Sequence, residues 1–209
     1  GSPVAIPYRV QYQLDVQHAV GRLDLGAPEA YASYARSVVA AESRTPARRG
    51  SAALFAPANR DDPATALTSS TLITPLAEAL TSRNALAVTV STSADATKGC
   101  LERLVNDNGG PAVLFSASHG LGFPSDHPDQ RARQGALVCQ EWEGPYSKCP
   151  VGTEQSFAAD DVADDAELSG LLYFMFACFG GGTPQFDDFA ASTPGTREQL
   201  APEPFGAAL

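Results

Sequence analysis

Seven apolar residues in succession, Leu171-Leu-Tyr-Phe-Met-Phe-Ala177, run directly into Cys178, Phe179 and Gly180-Gly-Gly182. Such a run, rich in aromatics, reads as a strand buried on both faces, which belongs inside a parallel sheet. The glycines supply the turn that ends it, and they leave the chain free to approach a ligand closely beside Cys178. A second segment has the same design: Pro111-Ala-Val-Leu-Phe-Ser-Ala-Ser-His119-Gly120 is a short apolar run that delivers one reactive side chain onto a glycine. Two such strands place an imidazole and a thiol at one carboxyl edge, where open α/β sheets bind ligands.

The intervening chain supports that sheet. Ala52 to Ala56 and Leu86 to Val90 are short apolar strands. Between them Ser70 can cap a helix that turns Leu72, Ile73, Leu76, Ala77 and Leu80 inward. A helix from about Asp95 to Val105 precedes the turn Asn106-Asp-Asn-Gly-Gly-Pro111. Strands alternating with helices at this spacing mean βαβ units, hence an α/β fold with a mostly parallel central sheet flanked by helices. Upstream, Tyr8 to Val16 alternates apolar and polar residues as a strand with one wet face would, and Val20 to Leu25 can continue it. Pro28 opens a helix with Tyr31, Tyr34, Ala35, Val38 and Val39 on one stripe. Downstream, Ala136 to Trp142 reads as a strand or hairpin arm, and Asp160 or Asp161 starts a short acidic helix ending near Gly170. Two segments follow: residues 1–50, a strand–helix segment that is either part of the same unit or the end of a preceding subdomain, and residues 51–209, the main domain.

Composition narrows the function. The hydrophobic fraction of 44% and charged fraction of 18% are those of a globular chain. A net charge of −10 disfavours nucleic acid and anionic membrane surfaces as partners. No apolar run has the length of a membrane span, and the first residues have no signal-peptide layout. The cysteines Cys100, Cys139, Cys149 and Cys178 match no zinc spacing, so neither a metal nor another cofactor is expected. Cys139 and Cys149 flank a turn and can pair, although reduced thiols in the cytoplasm are the favoured state.

A thiol attacks a peptide carbonyl as thiolate and needs a nearby base. His119 is that base, with His127 as a substitute, and the backbone amides of Gly120 and Cys178 are the expected oxyanion donors. An isolated cysteine in an apolar strand is usually a core residue, as expected for Cys100. Joint placement at two strand ends, each beside glycine, separates Cys178 and His119 from that background.

An apolar block closed by Ser118-His119-Gly120, followed by an apolar block closed by Ala177-Cys178, resembles the caspase-like cysteine peptidases: caspases, metacaspases, gingipains and bacterial CHAT proteases. The order agrees too, with the cysteine 59 positions after the histidine. The resemblance spans roughly Ala52 to Thr183 as a fold pattern, and its specific part is those two motifs. The region Tyr8–Leu25, with Asp15, is similar to the N-terminal part of gingipain-like and CHAT-like members. It implies the caspase-like sandwich, a Cys178–His119 dyad that hydrolyses proteins or peptides, and a place in regulated bacterial defence or cell death. Phe179-Gly180 stands where true caspases carry Arg-Gly, so aspartate specificity does not transfer. Relatives that cut after Arg or Lys use carboxylates in the primary pocket, and the acidic balance of this chain and the absence of the caspase Arg favour cutting after Arg or Lys here. Asp15, Asp61, Asp160 and Asp161 are the expected substrate-binding residues here, with Asp62 a competitor for the same role. Exposed arginines at 44–50 and 129–135 suggest a zymogen cut by itself or by an activating protease. The rival readings are a catalytically silent scaffold that docks a partner through Phe179, Phe186 and Phe189, and a Rossmann-like binding domain. The second is disfavoured because no glycine-rich phosphate loop follows the first strand.

Overall fold

The computed structural model describes residues 1–43, 50–83, 86–187 and 197–207. Its centre is a four-stranded, all-parallel sheet in the order β2-β1-β3-β6, built from β1 (Ser51–Ala56), β2 (Ala87–Thr92), β3 (Val113–Ala117) and β6 (Leu172–Phe176). Central β1 is buried from Ala52 to Ala56, as a strand covered on both faces must be. On one face Leu54, Ala56 and Ala117 pack with Ile73, Leu76, Ala77 and Leu80. These come from a continuous helical run: α3 (Pro63–Thr68), a π turn (Ser69–Ile73) and α4 (Thr74–Ser82). Pro75 has no N–H to offer the Thr71 carbonyl, and the π turn carries the chain past that gap. On the other face Ala53, Phe55 and Leu114 meet Leu101 and Val105 of α5 (Lys98–Asn106). The short antiparallel pair β4 (Leu137–Val138) and β5 (Ser156–Phe157) completes that layer.

Several expectations are corrected. The π turn absorbs Ser70, whose hydroxyl donates to the Ala66 carbonyl; the cap is Asp62, about two turns earlier. Helix α5 starts at Lys98 under a Thr97 cap, with only a 3-10 turn at Ser93–Asp95. The acidic stretch from Asp160 forms one 3-10 turn, Ala159–Asp161, because the Asp161 carboxylate is drawn to the Ala158 N–H and the Lys98 ammonium. Tyr8–Asp15 is a helix (α1), not a strand. Its alternating residues also recur at i, i+4, and Tyr8 stacks on Tyr12 at 6.3 Å, so the same pattern serves a helix. Residues 20–25 form no strand. Helix α2 (Pro28–Glu42) forms with proline at its start, yet buries none of its side chains.

The largest correction concerns β6. It lies at the sheet edge, and Leu172, Phe174 and Phe176 are more than half exposed while Tyr173 and Met175 face the core. The α3–α4 run covers β1 and leaves the same face of β6 open. The segment 1–50 is tied to the rest through Tyr8, whose hydroxyl donates to the Phe205 carbonyl at 2.7 Å. All four cysteines are free; Cys139 is buried and Cys149 exposed. Among the described residues no helix is long and apolar enough to cross a membrane.

Candidate active site

His119 and Cys178 leave the sheet from adjacent strands. The β3–β6 pairing extends one step beyond both strands, with the Ser118 N–H donating to the Phe176 carbonyl at 3.1 Å. Past that point the two main chains touch. A Cβ added to Gly120 would overlap the Cys178 carbonyl, with the carbonyl carbon at 2.9 Å. Glycine is required here for close approach. On its other side the His119 segment is held by β4: the Val138 N–H donates to the His119 carbonyl at 2.9 Å, and the Ser118 hydroxyl donates to the Val138 carbonyl. After Cys178 the chain reverses at Phe179, a non-glycine residue at φ +59, and the Gly180 N–H returns to the Ala177 carbonyl at 3.3 Å. A bulky residue in the left-handed region is strained by roughly 1–3 kcal/mol. The Phe179 ring lies so close to Gly122 that a Cβ there would stand 3.0 Å from it, which shows how tightly the turn is seated.

The imidazole has a partner that inspection of the motifs missed. His119 Nε2 lies 2.8 Å from Asp62 Oδ2, and the Asp62 side chain is only 8% exposed. Asp62 is also the N-cap of α3, accepting from the Ala64 and Thr65 N–H groups, and its Oδ2 accepts the Thr65 hydroxyl at 2.8 Å. Burial pushes this carboxyl up, but the hydrogen bonds from Thr65 and His119, the His119 charge and the Ala64 amide outweigh it, and the net pKa is lowered. An ionised Asp62 accepts from Nε2–H, which leaves Nδ1 as the basic nitrogen of the neutral ring. Trp142 meets the imidazole edge-on at 5.7 Å. Asn59 ties the Asp62 loop to this wall by donating to the Cys139 and Trp142 carbonyls at 3.0 and 3.1 Å.

Cys178 is exposed, and it shares with His119 a cavity of about 370 Å³ bounded by Ala64, Thr65, Thr68 and Phe176. Neither the Gly120 nor the Cys178 backbone N–H has a hydrogen-bond acceptor among the described residues.

The four carboxylates expected to read a basic substrate are not brought to this cavity. Asp15 sits at the end of α1 and accepts the Val20 N–H. Asp61 is exposed beside Arg60, at 3.6 Å. Asp160 is exposed, and Asp161 is engaged with Lys98 at 2.6 Å. His127 lies against Phe123 and accepts the Asp129 N–H, away from the thiol's cavity. The basic segment 44–49 and Phe189 lie outside the described residues. The other basic segment forms α6 (Gln130–Arg133), in which Gln130 is buried, Arg131 pairs with Glu203, and Arg133 donates to Ser156. Phe179 is half-buried and Phe186 is exposed.

No protein family, curated protein or solved structure matches this chain.

Proposed function

We propose that this chain is a cysteine endopeptidase in which Cys178 is the nucleophile, His119 the general acid and base, and Asp62 the residue that orients the imidazole. One observation carries the reading: an exposed thiol and an imidazole backed by a buried carboxylate share one cavity at the carboxyl edge of a parallel sheet.

In the proposed reaction His119 Nδ1 takes the Cys178 proton, and the thiolate sulfur forms a bond to the scissile carbonyl carbon. Negative charge gathers on the carbonyl oxygen, for which the Gly120 and Cys178 amides are the available donors. The imidazolium, stabilised by Asp62, gives its proton to the leaving nitrogen as the C–N bond breaks, and a thioester remains. Water, deprotonated by His119, then attacks the thioester; the C–S bond breaks and the thiol is restored. The caspase-like identity and a role in bacterial defence rest on the motif resemblance alone, and activation by proteolysis rests on the basic segments 44–50 and 129–135.

The test is hydrolysis of fluorogenic peptides together with labelling by peptidyl chloromethyl ketones. Wild type is expected to cut and to be labelled at Cys178. Cys178→Ala should lose both, and His119→Ala should lose at least about 100-fold in turnover. A Cys178→Ala protein that cuts as fast as wild type ends the proposal, and a wild type that neither cuts nor labels favours the scaffold reading.

A further inference from the structure

The cavity beside the thiol is uncharged, and this bears on what the site accepts. Apart from His119 and Cys178 its walls carry no titratable side chain. Its hydroxyls are already committed: Thr65 donates to Asp62, Thr68 to the Ala64 carbonyl at 2.8 Å, and Ser118 to the Val138 carbonyl. The nearest carboxylate, Asp62, is committed too. Its Oδ1 accepts the Ala64 N–H, and its Oδ2 accepts Thr65 and His119. What faces the space is therefore mainly apolar surface, with the half-exposed ring of Phe176 as one wall. A guanidinium, ammonium or carboxylate entering here would shed water and meet no counter-charge.

Resting on the peptidase reading, we propose that this cavity receives the side chain preceding the scissile bond and selects an uncharged apolar residue of the size of Leu, Met or Phe. The preference expected from the motif resemblance, for Arg or Lys, is thereby replaced. The pocket wall of α3 sets the selection through Ala64, Thr65 and Thr68, residues that lie within about two helical turns of the cap holding His119.

The experiment is a peptide panel varying only that position, run on wild type, Thr68→Asp and Ala64→Asp, with Cys178→Ala as control. Wild type should cut after Leu, Met or Phe roughly 100-fold better in kcat/KM than after Arg, Lys or Asp. A carboxylate on the α3 wall should bring cutting after Arg to within about tenfold of cutting after Leu. The exposed Ala64 position serves if Thr68→Asp does not fold. Cysteine-dependent cutting by wild type that is fastest after Arg, Lys or Asp overturns the apolar pocket and leaves the peptidase standing. Folded Asp variants with an unchanged preference overturn the role of α3. Absence of both cutting and labelling, with chloromethyl ketones carrying Leu, Arg and Asp alike, overturns the peptidase reading and this inference with it.

Discussion

Asp62 holds two structures at once. Its carboxylate closes the first turn of α3 and accepts the Nε2 proton of His119, so one side chain fixes both a pocket wall and the base. Asparagine caps helices as well as aspartate does, but a neutral amide cannot stabilise an imidazolium. Asp62→Asn is therefore expected to keep the fold and to lose about 10²–10⁴ in kcat/KM, measured on the best peptide from the panel. The pH dependence of stability separates the two duties. The folded carboxyl titrates below its ordinary 3.8, so its contribution is complete above that value and is lost as pH falls through the lowered one. The gap in stability between wild type and Asp62→Asn should close as pH falls below about 4, read by denaturant titration. A gap of the same size at pH 2 and pH 7 would contradict an ionised Asp62.

At the scale of elements, what was legible in the sequence and what was not have physical causes. The strands leading to His119 and Cys178 could be read because each is an apolar run that stops at glycine. The rest of β6 misled, because apolar composition does not say whether a neighbour covers a face; here α3 and α4 stop short of it. The α1 segment misled because residues two apart are also residues four apart, and a helix uses the second spacing. Asp62 was within reach: an aspartate before Pro63 is a helix cap, and a cap following β1 lies beside the end of β3, its sheet neighbour. What no sequence pattern carries is the contact of Gly120 with the Cys178 main chain, since it joins segments 58 residues apart across a strand pair. Gly120→Ala should push the two strand ends apart. Thermal denaturation is expected to show a loss of about 1–3 kcal/mol, and peptide assays a near-complete loss of turnover, while a variant with wild-type turnover would place the strand ends differently.

For the whole molecule, the order of the strands sets the order in which the site can exist. The groups that hold and surround the imidazole, from Asp62 to Trp142, precede β6 in the chain, whereas Cys178 arrives on an edge strand that pairs only with β3. That pairing closes a loop from Val113 to Leu172, about as distant as the closure of Ala52 on Val113, and its entropy is offset by a single neighbour, because the edge strand pairs with β3 alone and only once β3 is in place. In a refolding experiment Trp142 fluorescence should therefore settle before the Cys178 thiol acquires its native rate of reaction with a peptidyl probe, with the other cysteines replaced. Simultaneous phases would mean that the sheet closes in one step. On a ribosome, the same sequence of events makes a half-built chain that carries a finished base and no nucleophile. Under the proposed mechanism such a chain cuts neither itself nor its neighbours until β6 has emerged.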